Sequence, residues 1–175
     1  TRNPVSPWRA VMQGIIMALG QAHRYFYVQT PYFLPTESLL LAMQSAALSG
    51  VDVRVMLPLK ADNWLTHWAS CSYIKDVLTA GVKVYFYRPG FLHSKLMVSD
   101  DMLYTVGSTN LDFRSFEHNF EVNAFVYDAV TASAMRDIFL RDQQEADQVL
   151  LKQWQQRPWW RKALESVVRL MAPLL

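Results

Sequence analysis

The sequence holds a single cysteine, Cys71, in 175 residues, so no disulfide can form within the chain. That fits a reducing compartment and sets aside the small folds stapled by cystines. No apolar run approaches the roughly 20 residues that a bilayer-crossing helix needs. Charge of one sign is also scarce. Lys and Arg number 17 against 15 Asp and Glu, a net +2, so no strong field draws in a nucleic acid, although such a total is compatible with a local basic patch. Internal repeats and low-complexity stretches are lacking. The chain starts at Thr1 with neither Met nor a signal-like segment, and it is read as a piece of a longer protein.

What remains is an ordinary globular composition, 51% hydrophobic, 13% aromatic and 18% charged, at a length that suits one domain with its own core. Cys71 falls in a helical-looking stretch and is read as a small buried apolar residue, not as a nucleophile. Ser6-Pro7 resembles a helix cap followed by Pro at the first helical position. Val11, Met12, Ile15, Ile16 and Leu19 then share one face of a helix from Trp8 to Ala22. "RYFYVQT" (24–30) reads as a strand and "PYFLP" as a loop between prolines. Thr36 caps a helix that runs to Ser49 and stops at Gly50. "VDVRVMLP" (51–58) alternates as a strand does. A helix from about 64 to 80 follows, and then a strand at 82–87.

From there the pattern changes. Segments 92–99, 102–108 and 120–128 all read as strands, with a turn at Asp100-Asp101 and an irregular stretch at 109–119. Helices are expected over about 129–155 and 159–172. Strand and helix in alternation, then clustered strands, imply an α/β sandwich with a mixed sheet flanked by helices. The chain divides into a domain over 1–150 and a helical tail over 151–175.

The chemistry lies in the strand cluster. Side chains alternate along a strand, so His93, Lys95 and Met97 are expected on one face. Ser108 and Asn110 are also two apart, as are Glu121 and Asn123. Neighbouring segments would then project an imidazole, an ammonium, a hydroxyl, an amide and a carboxylate into one pocket. Lys suits phosphate as a point charge, and Ser and Asn donate neutral hydrogen bonds to its oxygens. A carboxylate beside an imidazole fixes its tautomer. The set describes phosphoryl transfer on a histidine nucleophile without a metal. A lone His on a strand is more often a satisfied core residue and a lone Lys an edge residue. The coincidence with "GSTN" and a nearby acid favours the site.

His93-x-Lys95, then Asp100 after four residues, then Gly107-Ser108-x-Asn110, resembles the signature of the phospholipase D superfamily. "QTPYFLP", "AGVKVYFY" and "GSTNLDFRSFEHNFEVN" are similar to the C-terminal half of bacterial cardiolipin synthases, from about Val5 to Asp147. Phe113 departs from the pattern, since many relatives carry Pro there. The resemblance implies a phospholipase D-like fold, one half of a two-motif enzyme that needs no cofactor or metal. His93 becomes the nucleophile. Lys95, Ser108 and Asn110 bind the phosphate, Glu121 orients the histidine, and Gly107 belongs to the structural motif. Strand parity puts Asp100 opposite His93, so it is expected to hold a turn or backbone amides. Tyr32, Phe33 and Arg114 are candidates for shaping the substrate entrance.

In that superfamily two copies of the motif meet across a pseudo-twofold axis, one histidine attacking phosphorus and the other serving the alcohols. An ordinary imidazole, with a pKa near ~6.5, can be pushed either way by its neighbours. Here His23, His67 and His118 lack the following Lys and the Gly-Ser element. The second motif is expected from an N-terminal half of the parent chain or from a twofold-related copy. The implied reaction is transfer between two phosphatidylglycerol molecules, giving cardiolipin and glycerol through a phosphatidyl-histidine. The alternatives are a lipid hydrolase or nuclease of the same superfamily, or a half-site inactive on its own. The mild charge argues against a nucleic-acid partner. The resemblance places the parent at the bacterial cell membrane, acting on phospholipid at its surface, with this piece soluble. In the tail, Leu164, Val167, Val168, Met171 and Leu175 fall on one helical face behind Trp159 and Trp160. That suits a bilayer surface, but any surface helix has the pattern, and the packed reading is preferred.

Overall fold

The computed structural model describes Thr1 and residues 3–170. The helices are α1 (Ala10–Gln21), α2 (Glu37–Leu48), α3 (Trp64–Thr79), α4 (Phe113–Glu117), α5 (Ala129–Gln144), α6 (Leu151–Gln155) and α7 (Trp159–Arg169). The strands are β1 (Tyr25–Gln29), β2 (Phe33–Leu34), β3 (Asp52–Pro58), β4 (Lys83–Tyr87), β5 (Leu96–Ser99), β6 (Leu103–Gly107), β7 (Leu111–Asp112), β8 (Asn123–Tyr127) and β9 (Ala146–Val149). Among the described residues, no helix is long and apolar enough to cross a membrane.

Seven strands form one mixed sheet in the order β8-β6-β5-β1-β3-β4-β9. β1, β3 and β4 run parallel, joined by crossovers through α2 and α3, while β5, β6, β8 and β9 pair antiparallel. Both faces of the central strands are covered, and β1 is buried at all five positions, as its largely apolar "YFYV" requires, with the side-chain amide of Gln29 bonded to Asp142 and Ser94. On one face α1, α2 and α3 bury Ile15, Leu19, Leu39, Met43, Ile74 and Val77 against Val28, Val53, Val55 and Met97. On the other, Ala132 and Phe139 of α5 cover Tyr25, Tyr27, Met56, Tyr85 and Val98. The fold is the expected α/β sandwich.

Several elements differ from the sequence reading. Ser6 does not cap α1; its hydroxyl accepts the amide of Trp8 (3.2 Å) in a local turn, and the helix begins at Ala10 without a side-chain cap. Residues 146–149 are not helical. They pair antiparallel with β4 and close that edge of the sheet, helped by the Arg88 guanidinium on the Glu145 carbonyl (3.0 Å). "PYFLP" contributes β2, which pairs in parallel with β7 to form a two-stranded ribbon. In the tail, α7 packs on α3 through Glu165 and Val168, whereas Leu164 and Val167 point away. Met171, Leu175 and the expected helix end at 172 lie outside the described residues.

Candidate functional site

The site gathers where β1 ends, β5 begins and β6 runs into β7. His93 and Lys95 are not on the strand, which starts at Leu96. They occupy the approach to it, so strict alternation does not apply to them. The ring of His93 is exposed and meets Tyr32 edge-on at 6.4 Å and Phe91 at 5.1 Å. Between them Ser94 turns inward and donates to the Gln29 side chain (2.8 Å). This bond anchors the segment to the end of β1. The Lys95 ammonium donates to the His93 carbonyl (2.9 Å), which curls the segment. Burial lowers the Lys95 pKa, and the carboxylates of Glu121, Asp112 and Asp62 oppose that shift. A partly desolvated cation among acids is the local electrostatic feature.

Tyr32 links several of these groups. Its hydroxyl donates to Asp62 (2.6 Å). Burial and then that bond push its pKa up to about 12, so it remains a donor at neutral pH. Phe33 is not an entrance residue: it is fully buried, at 0% exposure, in the core between the sheet and α2 and α3. In "PYF" the two aromatics therefore divide, Tyr32 facing His93 and Phe33 facing inward, as β2 pairing with β7 requires. Arg114 is exposed on α4.

Gly107 ends β6 opposite Asn123. Beyond it the Ser108 amide donates to the Val122 carbonyl (2.9 Å), and the Thr109 amide to the Asn123 side chain (3.2 Å). These bonds fix the path of 107–110. The Ser108 hydroxyl donates to Glu121, and Glu121 also accepts from the Asn119 amide (3.3 Å). The Asn110 backbone amide donates to Ser115 (3.3 Å), while its side-chain oxygen is buried and without a hydrogen-bond partner. An open concavity of about 390 Å³ adjoins Glu121, lined by Asn3, Phe120 and Val122.

Asp100 lies at the far end of β5, in the turn. Its carboxylate accepts three backbone amides, from His23 (2.7 Å), Arg24 (3.0 Å) and Tyr25 (2.8 Å). Its own φ is +54°, a left-handed conformation that Asp tolerates better than most residues. Asp100→Ala is expected to cost about 2–4 kcal/mol, from lost charge-assisted bonds and added backbone strain. Asp100→Asn should cost distinctly less. Urea unfolding measures both, and a negligible loss for Asp100→Ala would refute this role.

One group escaped the sequence reading. Asp112 is buried, caps α4 by accepting the Ser115 amide (2.6 Å), and also accepts from the Asn110 side chain. The spacing Asp112-x-x-Ser115 is a cap signal that was available. Phe113 is the first residue of α4, a position where Pro also fits, because the amide there needs no helical acceptor. Burial raises the Asp112 pKa despite its amide donors. A carboxyl held toward its neutral form repels an approaching phosphate less. The folded value exceeds the unfolded one of about 3.9. The group therefore favours folding at low pH, and that contribution is lost as pH rises from about 4 through the raised value. Asp112→Asn keeps the cap and removes the titration. Relative to wild type, its melting temperature is expected to rise across that window; a constant difference would contradict it.

Comparisons with known proteins bear on the family and the fold. The family described as cardiolipin synthase, PLD-like domain, matches residues 15–143. The chain is 44% identical over 175 residues to the major cardiolipin synthase ClsA of Bacillus subtilis (strain 168), covering 100% of this chain and 36% of that protein. It is 42% identical over 172 residues to cardiolipin synthase 1 of Staphylococcus aureus (strain COL), covering 98% of this chain and 35% of that protein. It thus spans about a third of the length of these relatives. Among solved structures, phosphatidylserine synthase of Haemophilus influenzae Rd KW20 superposes with a TM-score of 0.70 at 16% identity, covering 94% of this chain and 45% of that one. Nuc, a phospholipase D family member from Salmonella typhimurium, does so at 0.68 and 16%, covering 81% and 90%. These structures share the fold, and the sequence matches go further: the chain belongs to the phospholipase D-like domain family of cardiolipin synthases.

Proposed function

We propose that the protein carrying this chain transfers a phosphatidyl group from one phosphatidylglycerol to the glycerol hydroxyl of another, giving cardiolipin and free glycerol. The observation that carries the reading is the exposed imidazole of His93 on a segment whose Lys95 ammonium, partly desolvated, is folded back onto the His93 carbonyl. A ring nitrogen of His93 attacks phosphorus, the bond to the glycerol oxygen breaks, and a phosphatidyl-histidine forms. The hydroxyl of the second lipid then attacks phosphorus and the P–N bond breaks. Lys95 and the Asn110 side-chain amide offset charge on the phosphoryl oxygens, and the Ser108 hydroxyl assists by turning its one proton from Glu121 to the phosphate. Glu121, already bonded to Ser108 and Asn119, acts as the acid that orients a histidine.

The leaving glycerol must take up a proton and the incoming hydroxyl must lose one. His23 is on the opposite end of β1, at the Asp100 turn, His67 lines the inner side of α3, and His118 ends α4 with its ring against Phe113 and lacks the following Lys of the motif. The proton therefore comes from a second motif, on the N-terminal half of the parent chain or a twofold-related copy. The exposed Phe120 and Val122 on either side of Glu121 are suited to meet that half. Phosphatidylglycerol offered to the complete protein is expected to yield cardiolipin and glycerol. Phosphatidic acid as the main product would replace transfer with hydrolysis.

A further inference from the structure

We propose that the outer face of α7 docks on an anionic lipid bilayer. The helix is built inside out. Its inner face carries Glu165, 5% exposed, paired with Arg157 through two bonds (2.5 and 2.9 Å). Arg157 in turn stacks 3.3 Å over the Trp154 ring, and Arg169 binds Asp76 (2.8 Å) and lies over Tyr73. Val168 is the buried apolar contact of this face. The outer face holds Trp159 (79% exposed), Trp160 (50%), Leu164 (37%), Val167 (60%) and Leu170 (82%). An ordinary surface helix turns its apolar stripe to the core and its charges to water. Here a charge pair faces the core and large apolar groups face out, which calls for an occupant.

Charge selects the occupant. Residues 151–170 hold five of the chain's 17 Lys and Arg but one of its 15 Asp and Glu. Arg161 and Lys162 are exposed and flank the apolar stripe. Indole rings at a headgroup region and cations toward anionic lipid are what an interfacial helix presents. Val168 shares an apolar cluster with Tyr32, Leu34 and Ala69, and the Tyr32 ring meets His93. A short path of contacts thus connects the docked face to the site. The inference extends the proposed lipid transfer, but its assay needs no turnover.

The test is co-sedimentation of this chain with vesicles of phosphatidylglycerol in phosphatidylcholine, against phosphatidylcholine alone. The chain is expected to pellet with the first and to bind the second much less. Trp160→Ser with Val167→Ser should weaken binding about tenfold or more, and Arg161→Gln with Lys162→Gln about tenfold, at unchanged melting temperature. Leu41→Ser with Leu48→Ser, which removes comparable exposed groups from α2, should leave binding intact. His93→Ala should bind as wild type, so loss of docking and loss of transfer are read separately. The proposal is overturned if wild type does not pellet, or if both α7 variants pellet like wild type. It is also overturned if the α7 changes only convert a dimer to a monomer in sedimentation velocity.

Discussion

Replacing His93 with Ala in the complete protein is expected to lower transfer by about 10⁴-fold or more, with the melting temperature unchanged. The ring is exposed and its neighbours are Tyr32 and Phe91, so no core packing is lost. The Lys95 ammonium binds the His93 carbonyl, not the imidazole, so truncation also spares that bond. What disappears is the atom that bonds phosphorus. Because nucleophile and proton donor act as a unit, the two histidines of the complete site should be non-additive: removing both should cost little more than removing either. Transfer persisting within tenfold of wild type would make His93 a binding group and leave this half without a chemical role.

Gly107→Ala is expected to be the most damaging single substitution for folding. A Cβ at this position would lie 2.1 Å from the Val122 carbonyl oxygen, 2.5 Å from the Asn123 side-chain oxygen and 2.7 Å from its Cα. Two of these atoms are backbone, one in β8 and one in the residue that leads into it, and cannot swing aside. The two oxygens are also the acceptors that hold the amides of Ser108 and Thr109. One methyl group therefore separates β6 from β8 and releases the segment that presents Ser108 and Asn110. The expected cost exceeds about 4 kcal/mol, seen as insoluble chain or a fall of many degrees in circular-dichroism melting. A melting temperature within a few degrees of wild type would show that β8 shifts to admit the group.

The sheet was legible because strong local signals agreed with it. β3 alternates, Thr36 accepts the Leu39 amide where a cap was read, and Gly50 and Gly81 take positive φ just past α2 and α3. β9 was hidden because Ala146-Asp147-Gln148-Val149 pairs on one side only and offers no apolar alternation. At the site, the residue types were legible and their placement less so. Apolar residues on both sides of His93 and Lys95 read as one strand, although ladder pairing begins only at Leu96. Tyr32 and Phe33 looked equivalent until a two-residue ribbon, set by contacts distant in sequence, turned one inward. Asp112 passed as part of a loop, since its burial depends on β2 and α4 closing over it.

The central claim is a covalent bond between His93 and phosphorus. The most direct measurement is peptide mass spectrometry of the complete protein, quenched in base during turnover of phosphatidylglycerol so that a phosphoramidate survives. The account predicts a phosphatidyl adduct on the peptide that contains His93, and its loss in His93→Ala. An adduct confined to another histidine, or steady turnover with no adduct on any histidine, would contradict it.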